Sequence, residues 1–163
     1  MTRTMPFAVL CGLTFIATAP LRAETVVTSV DAPIFDAARL GTAAEVEKLL
    51  KANPALRDAR NPLGATPLHH AATNLDSGPL KVLLAAGADV NARDKEDNTP
   101  LHMAAYATRA GNAQLLLAAG ADVNAKTTAG RTPLSMARKV RADETAGIIS
   151  LWVLKGCKPG KPC

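Results

Sequence analysis

The three histidines, His69, His70 and His102, are the side chains of this sequence best equipped for acid–base or metal chemistry. Their spacing argues against both. His69 and His102 end two matching phrases, Thr66-Pro67-Leu68-His69 and Thr99-Pro100-Leu101-His102. They therefore belong to successive copies of one unit, roughly 10 Å apart at helix-packing distance. A zinc ion needs ligand atoms about 2.0–2.1 Å away, so this pair is poorly placed to share one. His70 follows His69 directly, and neighbours on a helix diverge by about 100°. No nucleophile elbow, phosphate loop or paired-cysteine metal motif occurs. The expectation is no catalytic residue, no metal and no cofactor.

The second chemical feature is the pair Cys157 and Cys163, which bracket Lys158-Pro159-Gly160-Lys161-Pro162. Its meaning depends on compartment. Arg3 supplies a positive start, Phe7–Ala19 is an uncharged, mostly apolar stretch, and Leu21-Arg22-Ala23 places a small residue before Glu24. This is the layout of a secretory signal peptide over residues 1–23. As a helix the apolar stretch spans roughly 20 Å, short of a hydrocarbon core of about 30 Å, so no stable membrane insertion is expected. Leu10 sits where a lipidated Cys11 would need a small residue. Cleavage after Ala23 would leave a net charge of +3 and two cysteines. An even pair in an exported protein reads as a Cys157–Cys163 disulfide. Closing so short a ring removes only about 2–2.5 kcal/mol of chain entropy, mostly from a tail. A redox-active pair and a basic anchor using Lys155, Lys158 and Lys161 are the alternatives. Each lysine near an anionic membrane is worth about 1 kcal/mol.

The full chain is basic, with a formal charge of +5 and a pI near 9.4, but an exported protein rarely meets nucleic acid, and none is expected as partner. Hydrophobic residues make up 48% and charged residues 20%, which excludes a wholly disordered chain. Aromatics are only 3%, so the core must be thin and built from Ala, Leu and Val in close-packed helices.

Those helices come as repeats. Residues 66–98 and 99–131 agree at 17 of 33 positions without a gap. The run Leu83–Ala92 recurs unchanged at Leu116–Ala125, and Thr132-Pro133-Leu134-Ser135 opens a further copy. Ile34–Gly41 followed by Glu45–Leu50 is a degenerate first copy. Thr66, Thr99 and Thr132 are placed as N-caps, with proline at the first helical position, where a missing N–H costs nothing. Leu80, Leu83 and Leu84 make an apolar stripe on a second, short helix. Gly87 and Gly120 can end that helix in the left-handed conformation, a task that falls to Asn53 in the first copy.

A 33-residue period with this T-P-L-H phrase resembles the ankyrin repeat family. The resemblance implies an all-α repeat solenoid, an ankyrin stack of about four helix-turn-helix repeats with short hairpin-like turns. Its repeats are 32–65, 66–98, 99–131 and 132–155, after a linker at 24–31 and before a basic Cys-containing tail at 156–163. It also implies a structural role for His69 and His102, tying each Thr-Pro turn to the neighbouring repeat. The glycine that usually ends the first helix appears only as Gly41. Leu75, Thr108 and Arg141 replace it, which predicts longer first helices and shorter second ones, with Pro79 opening the second helix of repeat two. Ile148, Ile149, Leu151 and Trp152 read as a sealing layer.

By the same resemblance the protein is a non-catalytic, monomeric binding module of the Gram-negative periplasm. It would hold, protect or inhibit an envelope protein, with stress defence as one setting. The alternative is an envelope anchor whose lysine tail binds anionic lipid or cell-wall phosphate. The register puts Thr73, Asn74, Tyr106, Ala107, Lys139 and Val140 in the groove. Asn61, Leu63, Lys95, Glu96, Asn98, Thr128 and Arg131 fall at the turn tips. Tyr106, the sole tyrosine, lies in a central repeat, where interface hot spots concentrate.

Overall fold

The computed structural model describes residues 33–157. The leader and linker expected over 1–31, and Cys163 with most of the tail, lie outside them. Eight α-helices follow one another as four antiparallel pairs: α1 Pro33–Leu40 and α2 Ala43–Ala52, α3 Pro67–Ala71 and α4 Gly78–Ala85, α5 Pro100–Tyr106 and α6 Ala110–Ala118, α7 Pro133–Lys139 and α8 Asp143–Lys155. No strand occurs among the described residues. First helices pack on first helices (α1 on α3, α3 on α5, α5 on α7), and α2 on α4 and α6 on α8 form the outer row. One repeat cannot bury its own stripe, so stacking creates the core. Ile34, Leu68, Leu80, Leu83, Leu101, Leu116 and Ile149 are fully buried in it, with Ala71, Ala72, Ala104 and Ala105 letting the first helices approach.

The hairpin-like tips close locally. Asn61, Asp94 and Thr127 donate their N–H to Ala65, Asn98 and Arg131 carbonyls at 3.1, 3.1 and 3.0 Å. Successive tips are then laced together. Lys95 N donates to Leu63 O at 2.9 Å and Thr128 N to Glu96 O at 3.0 Å. Arg60 Nη1 donates to the Gly64 and Arg93 carbonyls, both at 2.7 Å, and Arg93 Nη1 repeats the reach to Lys126 O at 3.0 Å. These arginines lie one period apart and hold the tips in line.

Helix ends depart from expectation in three places. Asn53 is extended (φ −148°), not left-handed, because Pro54 follows and disfavours helical backbone before it. Its side chain instead accepts from Ala55 N at 3.1 Å and opens the 3-10 helix Pro54–Asp58. The first helices are not lengthened: α3 has only 5 residues. Asn74 Oδ1 accepts from Asp76 N and Asp76 Oδ1 from Gly78 N, both at 2.9 Å, and these local turns compete with helix. The second helices of repeats two and three do shorten, to 8 and 9 residues against 10 for α2, and Pro79 lies in the first turn of α4 as expected, but the second helix of repeat four runs to 13 residues instead of shortening.

Thr108 and Arg141 do what a glycine would. Both are left-handed, at φ 59° and 57°, and the next N–H reaches back to Ala104 O and Ala137 O at 2.9 Å. That is a Schellman closure without glycine. A β-branched residue pays most for positive φ. Thr108→Gly is therefore expected to stabilise the stack by about 1 kcal/mol, after allowing for glycine's freer unfolded chain. A higher urea midpoint at unchanged slope checks it, and a lower midpoint contradicts it. Gly41 serves a different need: a Cβ there would lie 2.8 Å from Ala37 O, so the first copy needs its glycine for space.

The sealing layer is half as expected. Ile149 is fully buried and Trp152 half-buried against the core, but Leu151 turns outward, 53% exposed.

Candidate functional site

The two buried histidines resolve into structural parts. In α3, Thr66 N donates to His69 Nδ1 at 3.1 Å, the Thr66 hydroxyl lies 2.9 Å from the same nitrogen, and His69 Nε2 donates to Asn98 O at 3.0 Å. In α5 the pattern recurs, with Thr99 N to His102 Nδ1 at 3.2 Å and His102 Nε2 to Arg131 O at 3.0 Å. A backbone donor at Nδ1 and a backbone acceptor at Nε2 leave one tautomer, neutral with the proton on Nε2. Burial, the largest influence, lowers both pKa values. Each ring thus joins its own helix start to the tip that leads into the following repeat. Ser135 takes the place in α7 and only closes a local box with Thr132, Ser135 N to Thr132 Oγ1 at 3.2 Å.

His70 differs. Asn61 Oδ1 already accepts from Leu63 N (3.0 Å) and Ala65 N (2.9 Å), so its amide donates to His70 Nε2 at 3.2 Å. The ring also sits against Phe35, centroids 5.3 Å apart. Burial again lowers its pKa, with His69 and Arg39 adding to the effect. The tip that leads from repeat one into repeat two is fastened to α3 through this neutral imidazole.

Between tips and first helices lie two adjoining hollows. One, of about 400 Å³, is lined by Leu63, Lys95, Glu96, Asn98, Tyr106 and Arg131, over a floor of Met103 and Met136. The other, of about 250 Å³, brings in Asn61, Thr73, His70 and Arg39 and shares Leu63, Asp94 and Met103 with the first. They form one groove whose apolar centre is Leu63, Met103 and Tyr106. Tyr106 ends α5 and is 61% exposed, while five of the six residues before it in that helix are buried.

Most of the expected groove residues are brought together there, and five are not. Asn74 is a correction. It is 6% exposed, and its amide donates to the Ala38 and Gly41 carbonyls, both at 3.1 Å, across the end of α1. Because α3 stops at Ala71, residue 74 falls in the loop beneath the stack and faces backward. Ala107 is the half-buried cap of α5, Thr128 contributes its backbone to the tip lacing, and exposed Lys139 lines neither hollow. Val140 packs against the core. Met103, Met136 and His70 were missed as groove residues. A signal existed: all three directly follow the T-P-L-H or T-P-L-S phrase, one period apart.

Asn112 is also revealed by the structure. Its buried amide donates to Ala71 O (3.3 Å), Ala72 O (3.2 Å) and Asn74 O (2.9 Å), while Arg109 Nε donates to Thr73 O at 3.0 Å. The carbonyls at the end of α3 are thus capped from the next repeat.

Among the described residues every buried side-chain nitrogen and oxygen has a partner, and no group of three or more His, Cys, Asp or Glu gathers as a metal site. No helix among them is long and apolar enough to cross a membrane. The fold and the groove define a helical repeat solenoid that presents one continuous inner face. A family model described as ankyrin repeats (3 copies) matches residues 34–127 and 78–148, and the chain belongs to the ankyrin repeat family. A search of curated proteins returns no match. Ankyrin repeats are protein–protein interaction modules, generally without catalysis of their own.

Proposed function

We propose that this chain is an exported adaptor of the Gram-negative periplasm that holds a segment of an envelope protein in the groove centred on Tyr106. Protection or inhibition of that protein, as in stress defence, would follow from covering it. The single observation that carries the reading is an aromatic side chain held out from a helix most of whose other residues are buried, lining one hollow with Leu63 and Met103. Tyrosine presents large amphipathic area at low entropic cost and is enriched among hot spots. Lys95, Glu96 and Arg131 form a mixed-charge rim suited to orientation rather than affinity. Met1–Ala23 supports export, and an oxidising compartment supports a Cys157–Cys163 bond just beyond α8.

The test is photo-crosslinking in living cells from a probe placed at position 106, followed by titration of the captured protein. Tyr106→Ala is expected to weaken binding by at least about 2 kcal/mol, or some thirty-fold, with an unchanged thermal melt. Lys95→Ala should act mainly on association rate and salt dependence. Unchanged affinity for Tyr106→Ala moves the binding face off this groove. A captured chain that still carries Met1–Ala23 by intact mass removes the export.

A further inference from the structure

The end of the stack, from the tip before repeat four onward, departs from its start in charge, and repeat four departs in what it leaves uncovered. Between Lys126 and Lys155 the sequence has six cations against two acids, whereas residues 33–92 carry six of each. All six cations are exposed, and none joins an ion pair among the described residues. Arg138 occupies the place where Ala72 and Ala105 are fully buried by the following repeat; here nothing among the described residues covers it.

Helix α8 continues the theme. It runs 13 residues, and its last turns expose Leu151 (53%), Val153 (50%) and Leu154 (79%) immediately before Lys155. Ile149 and Trp152 face inward, so Leu151 and Leu154, three apart, lie on the outer side of the same helix. A partner for this surface must be anionic and must also accept apolar side chains. A second copy presenting the same face would set cation against cation. A polyphosphate backbone would satisfy the cations and leave the leucines in water. An anionic bilayer surface meets both demands, with lipid phosphates for the cations and the headgroup–acyl boundary for the leucines.

We propose that the last repeat docks the protein on an anionic lipid bilayer, Leu151 and Leu154 seated among the headgroups and Arg138, Lys139, Arg141 and Lys155 on the phosphates. At about 20 Å, α8 is too short to span, so it lies on the surface. Each cation near such a surface multiplies affinity about five-fold. Arg138, Lys139 and Arg141 line neither hollow and α8 belongs to the outer row, so docking does not use the residues around Tyr106, and the proposal stands apart from the partner reading above. It also needs no residue of the tail.

Trp152, the sole tryptophan, is half-buried in the docking helix between Leu151 and Val153, and its exposed part reports the approach of lipid. The chain, isolated in soluble form from expressing cells, is titrated with phosphatidylcholine vesicles and with mixed phosphatidylcholine–phosphatidylglycerol vesicles. Expected are a blue shift of Trp152 and co-sedimentation with the anionic vesicles only, both fading as salt is added. Leu151→Glu with Leu154→Glu, and separately Arg138→Glu with Lys139→Glu and Arg141→Glu, should each lower partitioning about ten-fold or more. Thermal melts should hold, since these side chains are exposed. Removal of residues 158–163 should cost less than either set. The proposal is overturned if anionic vesicles are not bound, if neutral vesicles bind equally, or if only tail removal matters. Self-association abolished by Leu154→Glu, without vesicle binding, would instead assign the surface to a second copy.

Discussion

His102→Ala is expected to destabilise the protein by about 3–4 kcal/mol, a large share of the margin of a small domain. The ring is fully buried, and its loss strands the Arg131 carbonyl and the Thr99 N–H together while leaving a cavity. In a repeat stack the damage falls on one interface, here between repeats three and four, so α7 and α8 should lose amide-exchange protection before α1 and α2. Ser135→Ala is the internal control. It removes a polar group at the equivalent position, but Ser135 is exposed and bonds only within its own turn, so about 1 kcal/mol or less is expected. Urea unfolding of the two variants decides it. Equal losses would mean that the histidine is a local cap and not a strut between repeats.

The same rings set the pH response. His69, His70 and His102 all have pKa values lowered by burial from the usual 6.5. Below about pH 6.5 the unfolded chain takes up protons that the folded chain refuses, so stability falls with falling pH until the folded-state values are reached. Stability from these groups is complete above pH 6.5 and lost beneath it. Comparing urea midpoints at neutral and mildly acidic pH should show a drop, and His102→Ala should make that drop shallower.

Asn112→Ala should cost about 2–3 kcal/mol, and Asn112→Asp, which barely changes volume, should cost more at neutral pH. The amide is the bond donor to the Ala72 and Asn74 carbonyls at the buried end of α3. Alanine leaves those acceptors without a partner. A carboxylate adds buried charge facing three carbonyl oxygens. The aspartate variant should therefore regain stability as pH is lowered and its acid protonates, opposite in sign to the histidine effect. Urea midpoints across pH test this, and an aspartate variant as stable as wild type would show that water reaches the end of α3.

The periodic features were legible in the sequence because they are local and repeated. Thr-Pro starts, leucine stripes at helical spacing and glycine stops at Gly87 and Gly120 each depend on a few adjacent residues, and a 33-residue period states how the units stack. The histidine struts were expected from the family pattern, and the groove's Leu63, Lys95, Tyr106 and Arg131 from register alone.

What only the tertiary structure decided lies where neighbouring repeats meet. Asn74 and Asn112 are polar residues at unlike positions of their repeats, and nothing in their own segments says that they face inward. Their role exists only because carbonyl groups of the preceding repeat end beneath them. Asn53 took its conformation from Pro54 and not from the glycine it replaces. Thr108 and Arg141 accept a left-handed backbone because the closing bonds and buried helices around them over-determine the turn. Helix propensity and period are properties of a segment. The satisfaction of a buried carbonyl is a property of two segments at once, and no single stretch of sequence contains it.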